Sequence, residues 1–344
     1  MIEVQKLGVI LGSTRHAFER KAVLNPACVQ DGESIHVFYR AVDMRHVSRI
    51  GYAKLRGPTE VIERRPAPVI VPTRAYEKKG VEDPSITKIG ATFHMTYVAH
   101  DGKNAVTAHA TSRNLTQFVK KGIISPRITY DQAATIFRKN KLKDRYFMFE
   151  AFYEEFAGED VLLWEKDVEF FPKKIGGKFA LIHRILPDIQ IAYFNSFADL
   201  RTDAFWKRYL KSLAKFVVLE NKYWFESRNI GGGAPPIETK DGWLLIFHTV
   251  EELNKQRIYH ASAALLDKRN PLRVIGRLTE PLFSPDREWE KHGMVNNVVF
   301  PTGTAQFGDD LYVYYGAADT SIAVARVSLS QLLRTLKYNG AKTI

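Results

Sequence analysis

Five stretches of this chain repeat one pattern, and that repetition restricts the fold more than any other feature. They are LNPACVQDGESIHVFYRAVD at 24–43, VEDPSITKIGATFHMTYVAHD at 81–101, FFPKKIGGKFALIHRILPD at 170–188, APPIETKDGWLLIFHTVEE at 234–252 and VVFPTGTAQFGDDLYVYYGAAD at 298–319. Each carries a proline, a glycine five to seven residues later, an alternating apolar run and a polar end. One such unit is a β-hairpin: a strand enters a glycine-containing turn and an aromatic, β-branched strand returns. Shorter runs follow in most units, among them IGYAKLRG, AVTAHATS, IQIAYFN, IYHASAALL and IAVARVSL. Three or four strands recurring roughly every 60–70 residues read as propeller blades, because radial repetition protects sheet edges. Five units predict an all-β, five-bladed β-propeller that takes up residues 1–344 as one domain. Helical periodicity between the strands is too scarce for a parallel α/β fold.

A few peripheral helices are expected. Residues 203–216 place Trp206, Leu210 and Leu213 on one face with Asp203 as the N-cap, and Ser328 or Ser330 caps SLSQLLRTLKY near the C-terminus. An insert at about 131–160 mixes charged and aromatic residues, either a helical excursion over the disc or an oligomer contact. The one cysteine, Cys28, excludes an intrachain disulfide and fits a reducing compartment. No basic, apolar leader opens the chain and no run reaches the ~18 apolar residues of a membrane span, so a cytoplasmic protein is expected. The net charge of +12 favours anionic partners. Its lysines and arginines are scattered, however, and the densest run, RKNKLKDR at 138–145, has no interleaved aromatics; it reads as a solvated face rather than a nucleic-acid site.

Superposing the five units brings polar residues to equivalent strand ends. Asn25 and Asp83 precede a proline, with Glu82 before Asp83. At the far ends stand Arg40 and Asp43, His100 and Asp101, His183 and Arg184, His248, and Asp319. Asp before Pro is an ordinary turn pair, and polar residues would solvate a wet channel without any further role. Against that, a partly desolvated carboxyl with a raised pKa works as a general acid, as glycoside cleavage requires, which singles out Asp83. Asp43, Asp101 and Asp319 suit sugar hydroxyls, and Tyr39, Trp243 and Tyr315 a stacking floor. Lys103, Lys166, His183, Arg184 and His248 converge as an anion site. No zinc-ligand spacing, nucleophile elbow, P-loop or dinucleotide fingerprint is present, and IGGGAPP at 230–236 reads as close backbone approach at the channel.

The motifs VLNPA, FYRAVD, GVEDPSI, DGKNA, WEKDVEFFPKKIGGKFALIHRI, GGGAPPIETKDGWLLIFH, AALLDKRNP, NNVVFPTG and YYGAAD together resemble glycoside hydrolase family 130, in order, over residues 5–335. The resemblance implies a five-bladed propeller and, for most members, an inverting phosphorylase that releases mannose 1-phosphate from β-mannosides; some members are hydrolases. It implies that Asp83 is the catalytic acid, its proton passing through a mannose hydroxyl to the leaving oxygen. Asn104, Lys166 and His248 match phosphate positions, with Lys103, His183 and Arg184 beside them. Arg40, Asp43, Asp101 and Asp319 match sugar-contacting motifs, and Asn25 and Glu82 fall on the same substrate side. Ser85 stands where an arginine usually follows EDP, Thr249 where a glycine follows the histidine, and Lys103 where many members carry arginine. Hydrolytic relatives lose the cations and use a glutamate to activate water, for which Glu238, Glu251 and Glu252 are the candidates here. The resulting expectation is a phosphorylase of β-mannosides, β-1,2 ahead of β-1,4, with inorganic phosphate as co-substrate and no cofactor or metal. A homo-oligomer is left open; an inverting β-mannosidase and a non-catalytic mannoside-binding propeller are the alternatives.

Overall fold

The computed structural model describes residues 2–158 and 160–342, Glu150 by its backbone alone, so Glu159 of the 131–160 insert lies outside the described residues. Five antiparallel blades follow one another along the chain. Blade I comprises Ala22–Asp31, Ser34–Val42, Ser48–Arg56 and Glu60–Arg64, and blade II Gly80–Ile89, Thr92–His100, Ala105–Ser112 and Val119–Ile123. A single parallel pairing, Ser48 with Gly80, joins them. Blade III runs Lys166–Phe170, Phe179–Arg184, Ile189–Phe194 and Val217–Leu219; blade IV runs Asn229–Gly233, Trp243–Leu253, Gln256–Leu266 and Val274–Arg277. Blade V takes Val299–Phe307, Asp310–Ala317 and Ser321–Ser328 from the C-terminal part and Val4–Leu11 from the N-terminal part as its outermost strand. The first strand of each blade packs against the first strand of the next, and that of blade V against that of blade I, which closes the ring.

The hairpin signals correspond to two-residue turns whose glycines sit at φ 57° (Gly32), 60° (Gly90) and 61° (Gly308), a backbone region that costs other residues a Cβ clash. The apolar faces of neighbouring blades meet as separate cores. Val37, Tyr39 and Leu55 pack with Tyr314 and Val324 between blades I and V, and Ile182, Ile191 and Val218 with Leu245 and Phe247 between III and IV.

Helices fill the wedge beside blade III. They are α1 (Tyr130–Phe137), α2 (Arg145–Ala157) and α3 (Asp203–Leu210); α4 (Glu288–Lys291) and α5 (Leu329–Ala341) follow in blade V. Tyr130, Phe137, Tyr146, Trp206 and Leu210 share a core with Val168, Phe170 and Leu181 of blade III, so the insert is part of an interblade core. The helix expected over 203–216 breaks at Leu210 and resumes as a 3-10 turn, Leu213–Phe216. Its cap is Thr202 rather than Asp203, because the Thr202 hydroxyl accepts from the Phe205 amide at 3.3 Å. Ser328, not Ser330, caps α5.

Four blades share a device that the proline–glycine pattern does not reveal. A short turn before the first strand buries a glutamate completely: Glu19, Glu77, Glu226 and Glu290. Each is met by a cation from the outermost strand of its own blade, Arg64, Lys120, Arg277 and Lys6 respectively. In three of them a second-strand tyrosine donates as well: Tyr39 to Glu19 and Tyr315 to Glu290 at 2.7 Å, Tyr97 to Glu77 at 2.8 Å. The glutamate thereby ties the inner hairpin to the blade's edge. Tyr39 and Tyr315 are spent on this bond, and Trp243 is buried with its indole N–H on the Lys268 carbonyl, so none of the three forms a stacking floor. Glu77→Ala takes the carboxylate from Lys120, which keeps only the Val71 carbonyl and the Thr73 hydroxyl, and orphans Tyr97 and the amides of Thr73 and Arg74; removal of one partner from a buried pair costs ~3–5 kcal/mol. Urea unfolding should show that loss. Glu60→Ala, whose pair with Arg56 is exposed, should stay within ~1 kcal/mol.

Candidate active site

Each innermost strand is bulged at the same level: between Leu24 and Ala27, Glu82 and Ser85, Lys166 and Glu169, Gly231 and Gly233, and Pro301 and Gly303. A bulge inserts a residue that the ladder cannot pair and turns its side chain away from the sheet. Asn25 (φ 49°), Asp83 (φ 46°) and Asp167 (φ 56°) occupy these positions in blades I to III, in the left-handed region that Asn and Asp tolerate best. All three line one cavity of about 340 Å³, together with Arg40, Lys166, Arg184, Arg228, Asn229, His248, Arg257, Tyr259, Phe300 and Asp319.

The acid side is a tight network. Asp83 Oδ1 accepts from Asn25 Nδ2 at 2.7 Å and from Arg40 Nη1 at 3.4 Å. Arg40 is held in turn by Glu82, 2.8 Å from Nη2, and by the Ser48 hydroxyl. Burial pushes the Asp83 carboxyl up, but Arg40, Lys166 and the Asn25 amide outweigh it, and its pKa lies below the ordinary value. The expected raised pKa is therefore corrected: desolvation is present, but two cations overrule it. Asp319 is the carboxyl that rises, to about 6, through burial offset in part by Arg40 and reinforced by Asp83.

The opposite side is an anion cradle. Arg184 Nε lies 3.0 Å from Asp167 Oδ2, and the Lys166 ammonium is 5.5 Å from the centre of the Trp164 ring. His248 is fully buried, with Nδ1 2.7 Å from the Gly232 carbonyl. A carbonyl only accepts, so Nδ1 carries the proton and the neutral ring, which lines the cavity, keeps Nε2 as an acceptor; Nε2 has no partner among the described residues. Burial lowers this histidine's pKa to about 4. The glycine tract is required sterically: a Cβ on Gly231 would overlap His248, and one on Gly232 would overlap the carboxyl of Glu169. Glu169 itself is buried beneath the cavity, its pKa raised by burial and then by Asp167.

Of the residues singled out from sequence, Asn25, Arg40, Asp83, Lys166, Arg184, His248 and Asp319 meet at the cavity, with Glu82 directly behind Arg40. Five others do not line it. Asp101 closes its own loop by accepting from the Lys103 and Asn104 amides, and Asn104 bridges Asp101 and the Leu162 amide. Lys103 belongs to that loop and its carbonyl accepts from the Trp164 indole. Asp43 is taken up by the Arg45 and Val47 amides and by Arg49 at 2.8 Å. His183 is fully buried between Glu165 and Tyr209, 2.7 Å from each. Sequence reasoning passed over Asp167, Arg228, Asn229, Arg257, Tyr259 and Phe300, and also Phe152, Tyr153 and Phe156 of α2, which form one wall with Trp164. Asp167 had a signal: it is the third Asn or Asp at a bulge, displaced from the proline that marks the other two.

Comparison with known proteins adds context. The glycoside hydrolase family 130 model, described as β-1,4-mannooligosaccharide phosphorylase, matches residues 4–338. The 1,2-β-oligomannan phosphorylase of Thermoanaerobacter sp. (strain X514) is 32% identical over 345 residues, covering 96% of this chain and 99% of that protein. A β-1,2-mannobiose phosphorylase from the same organism is 34% identical over 325 residues, covering 90% and 91%. Among solved structures, the β-1,2-mannobiose phosphorylase of Listeria innocua in complex with β-1,2-mannobiose has a TM-score of 0.73 at 22% identity, covering 98% of this chain and 100% of that one. At that identity the likeness speaks for the fold.

Proposed function

Because this chain belongs to glycoside hydrolase family 130, we propose that it is an inverting β-mannoside phosphorylase, with manno-oligosaccharide and inorganic phosphate as substrates. The observation that carries the reading is the cavity's cation set: five Arg and Lys side chains line it, of which Lys166 and Arg257 are paired with no carboxylate among the described residues and are left to meet a phosphate dianion. In the reaction a phosphate oxygen attacks the anomeric carbon as the glycosidic C–O bond breaks. The leaving oxygen takes a proton that originates on Asp83, and inversion turns a β-mannoside into α-mannose 1-phosphate. Lys166 and Arg184 balance the phosphate charge, and His248 Nε2 accepts a hydrogen bond from the hydroxyl that phosphate retains near neutral pH. Phosphate also reconciles the low pKa of Asp83 in the free enzyme with its role as the acid. Once the dianion engages Lys166, part of the field that keeps Asp83 ionised is cancelled and the carboxyl's pKa rises, which favours uptake of its proton.

The hydrolytic alternative lacks its glutamate. Glu238 is paired with Lys173 and Lys268, Glu251 with His260 and Glu252 with Arg228, and none of them lines the cavity. The names of the two Thermoanaerobacter relatives favour the β-1,2 linkage over the β-1,4 of the family description. No helix among the described residues is long and apolar enough to cross a membrane. The location we propose for the reaction is the cytoplasm. Incubation with β-1,2-mannotriose should release mannose 1-phosphate, read by phosphorus NMR, and only when phosphate is added. Free mannose released equally without phosphate would establish a mannosidase. Binding with no turnover would establish a carbohydrate-binding propeller.

A further inference from the structure

The insert helix α2 has two dissimilar faces. Tyr146, Phe149 and Tyr153 point inward: Tyr146 donates to Asp188 at 3.0 Å, and Tyr153 stacks on Tyr130 with ring centres 5.1 Å apart. Met148, Phe152 and Phe156, four residues apart, form an outward stripe, 65%, 39% and 70% exposed. Residues spaced by four share one helix face, so this is a continuous apolar strip that water does not favour. Its two phenylalanine rings are nearly parallel, 3° apart, and Phe156 meets Trp164 edge-on at 6.1 Å. Arg228 lies 5.4 Å from the centres of both Phe149 and Phe152 and is paired with Glu252, which fixes a polar edge beside the strip. Val295 lines the same cavity and is 41% exposed.

The strip is continuous with the catalytic cavity, since Phe152, Phe156 and Trp164 line the same space as Asp83 and Lys166. What fits there must be apolar on one face, polar along its edges, and reach the reacting centre. A pyranose chain has that character: C–H faces that cover aromatic rings and hydroxyl edges that meet guanidinium groups. We propose that the Phe152–Phe156 strip is a binding subsite for the mannosyl units beyond the leaving-group sugar, so that the insert sets the chain length the enzyme prefers. This rests on the phosphorylase reading. A second copy of the chain is the competing occupant, and the test separates the two.

Phosphorolysis of β-1,2-mannobiose and of the pentasaccharide is measured for the parent, Phe156→Ala and Phe152→Ala, with melting midpoints as the folding control. The expected result is a KM for the pentasaccharide raised about tenfold more than the KM for mannobiose, with the melting midpoint unchanged; Phe156→Trp restores the parent ratio. An equal rise for both substrates, or no rise for either, overturns the proposal. So does a loss of subunit association in Phe156→Ala, seen by light scattering, without a chain-length effect. If the parent turns over no mannoside, the phosphorylase reading fails instead, and calorimetric binding of the pentasaccharide to parent and Phe156→Ala still decides the subsite: equal affinities refute it.

Discussion

Asp83→Asn lowers the phosphorolysis rate by ~10²–10⁴-fold, the usual worth of a positioned general acid, and leaves the melting midpoint nearly unchanged. The structural half of this expectation follows from the bulge. At φ 46° asparagine is tolerated as well as aspartate, so the backbone keeps its course. Arg40 is not orphaned, because Glu82 still accepts from it at 2.8 Å. The catalytic half follows from the proton. An amide cannot supply one, so the loss should shrink when the leaving group needs none, as in a nitrophenyl β-mannoside. The pH dependence carries a sign as well. Asp83 sits below the ordinary carboxylate value in the free enzyme and rises when phosphate neutralises Lys166, so the acid's pKa read from kcat should exceed that read from kcat/KM for the mannoside at low phosphate. An early-melting variant, or one equally slow on both leaving groups, would falsify the acid assignment and return Asp83 to a turn residue.

The repeat made the blades legible because a hairpin turn needs glycine and an inner strand needs alternation, and both are local demands. Half of the site was legible for the same reason: Asn25, Asp83 and Arg40 lie at the polar ends of the clearest units. The remainder failed where proline was used to align the units. Pro26, Pro84 and Pro301 sit at the bulge, but Pro172 lies beyond it, after the end of the inner strand, and Pro236 follows the glycine bulge of blade IV. The frame therefore slipped by several residues in blades III and IV, which hid Asp167 and Asn229. The buried glutamates were readable in principle, since Glu19, Glu77 and Glu226 each stand six residues before the bulge residue, Asn25, Asp83 and Gly232. Lys103, Asp101 and Asn104 fall outside the cavity for another reason. An Asp-Gly-x-Asn loop satisfies itself: Asp101 accepts from its own neighbours, which sequence alone does not distinguish from a site. The aromatic wall was unreadable because it comes from an insert outside the repeat.

Lys166→Ala should raise the KM for phosphate by about 10²-fold, as expected for one charge-assisted contact of ~1.5–3 kcal/mol, and leave the KM for the mannoside within about threefold. Lys166 opens the inner strand of blade III, lines the cavity and lies over Trp164, so truncation removes charge without breaking an ion pair with a buried acid. A second signature distinguishes a phosphate ligand from a prop. Lys166 lowers both Asp83 and Asp319, so without it both carboxyls must titrate at higher pH, and the limb on which activity falls as Asp83 loses its proton moves towards neutrality. Lys103→Ala is the informative partner, because Lys103 belongs to a self-satisfied loop outside the cavity and should leave the phosphate KM unchanged. Equal losses for both substrates in Lys166→Ala would make this lysine a support for the Trp164 wall. A larger phosphate effect in Lys103→Ala would mean that the 101–104 loop folds over the anion once it is bound, and that the cradle seen here is the open half of the site.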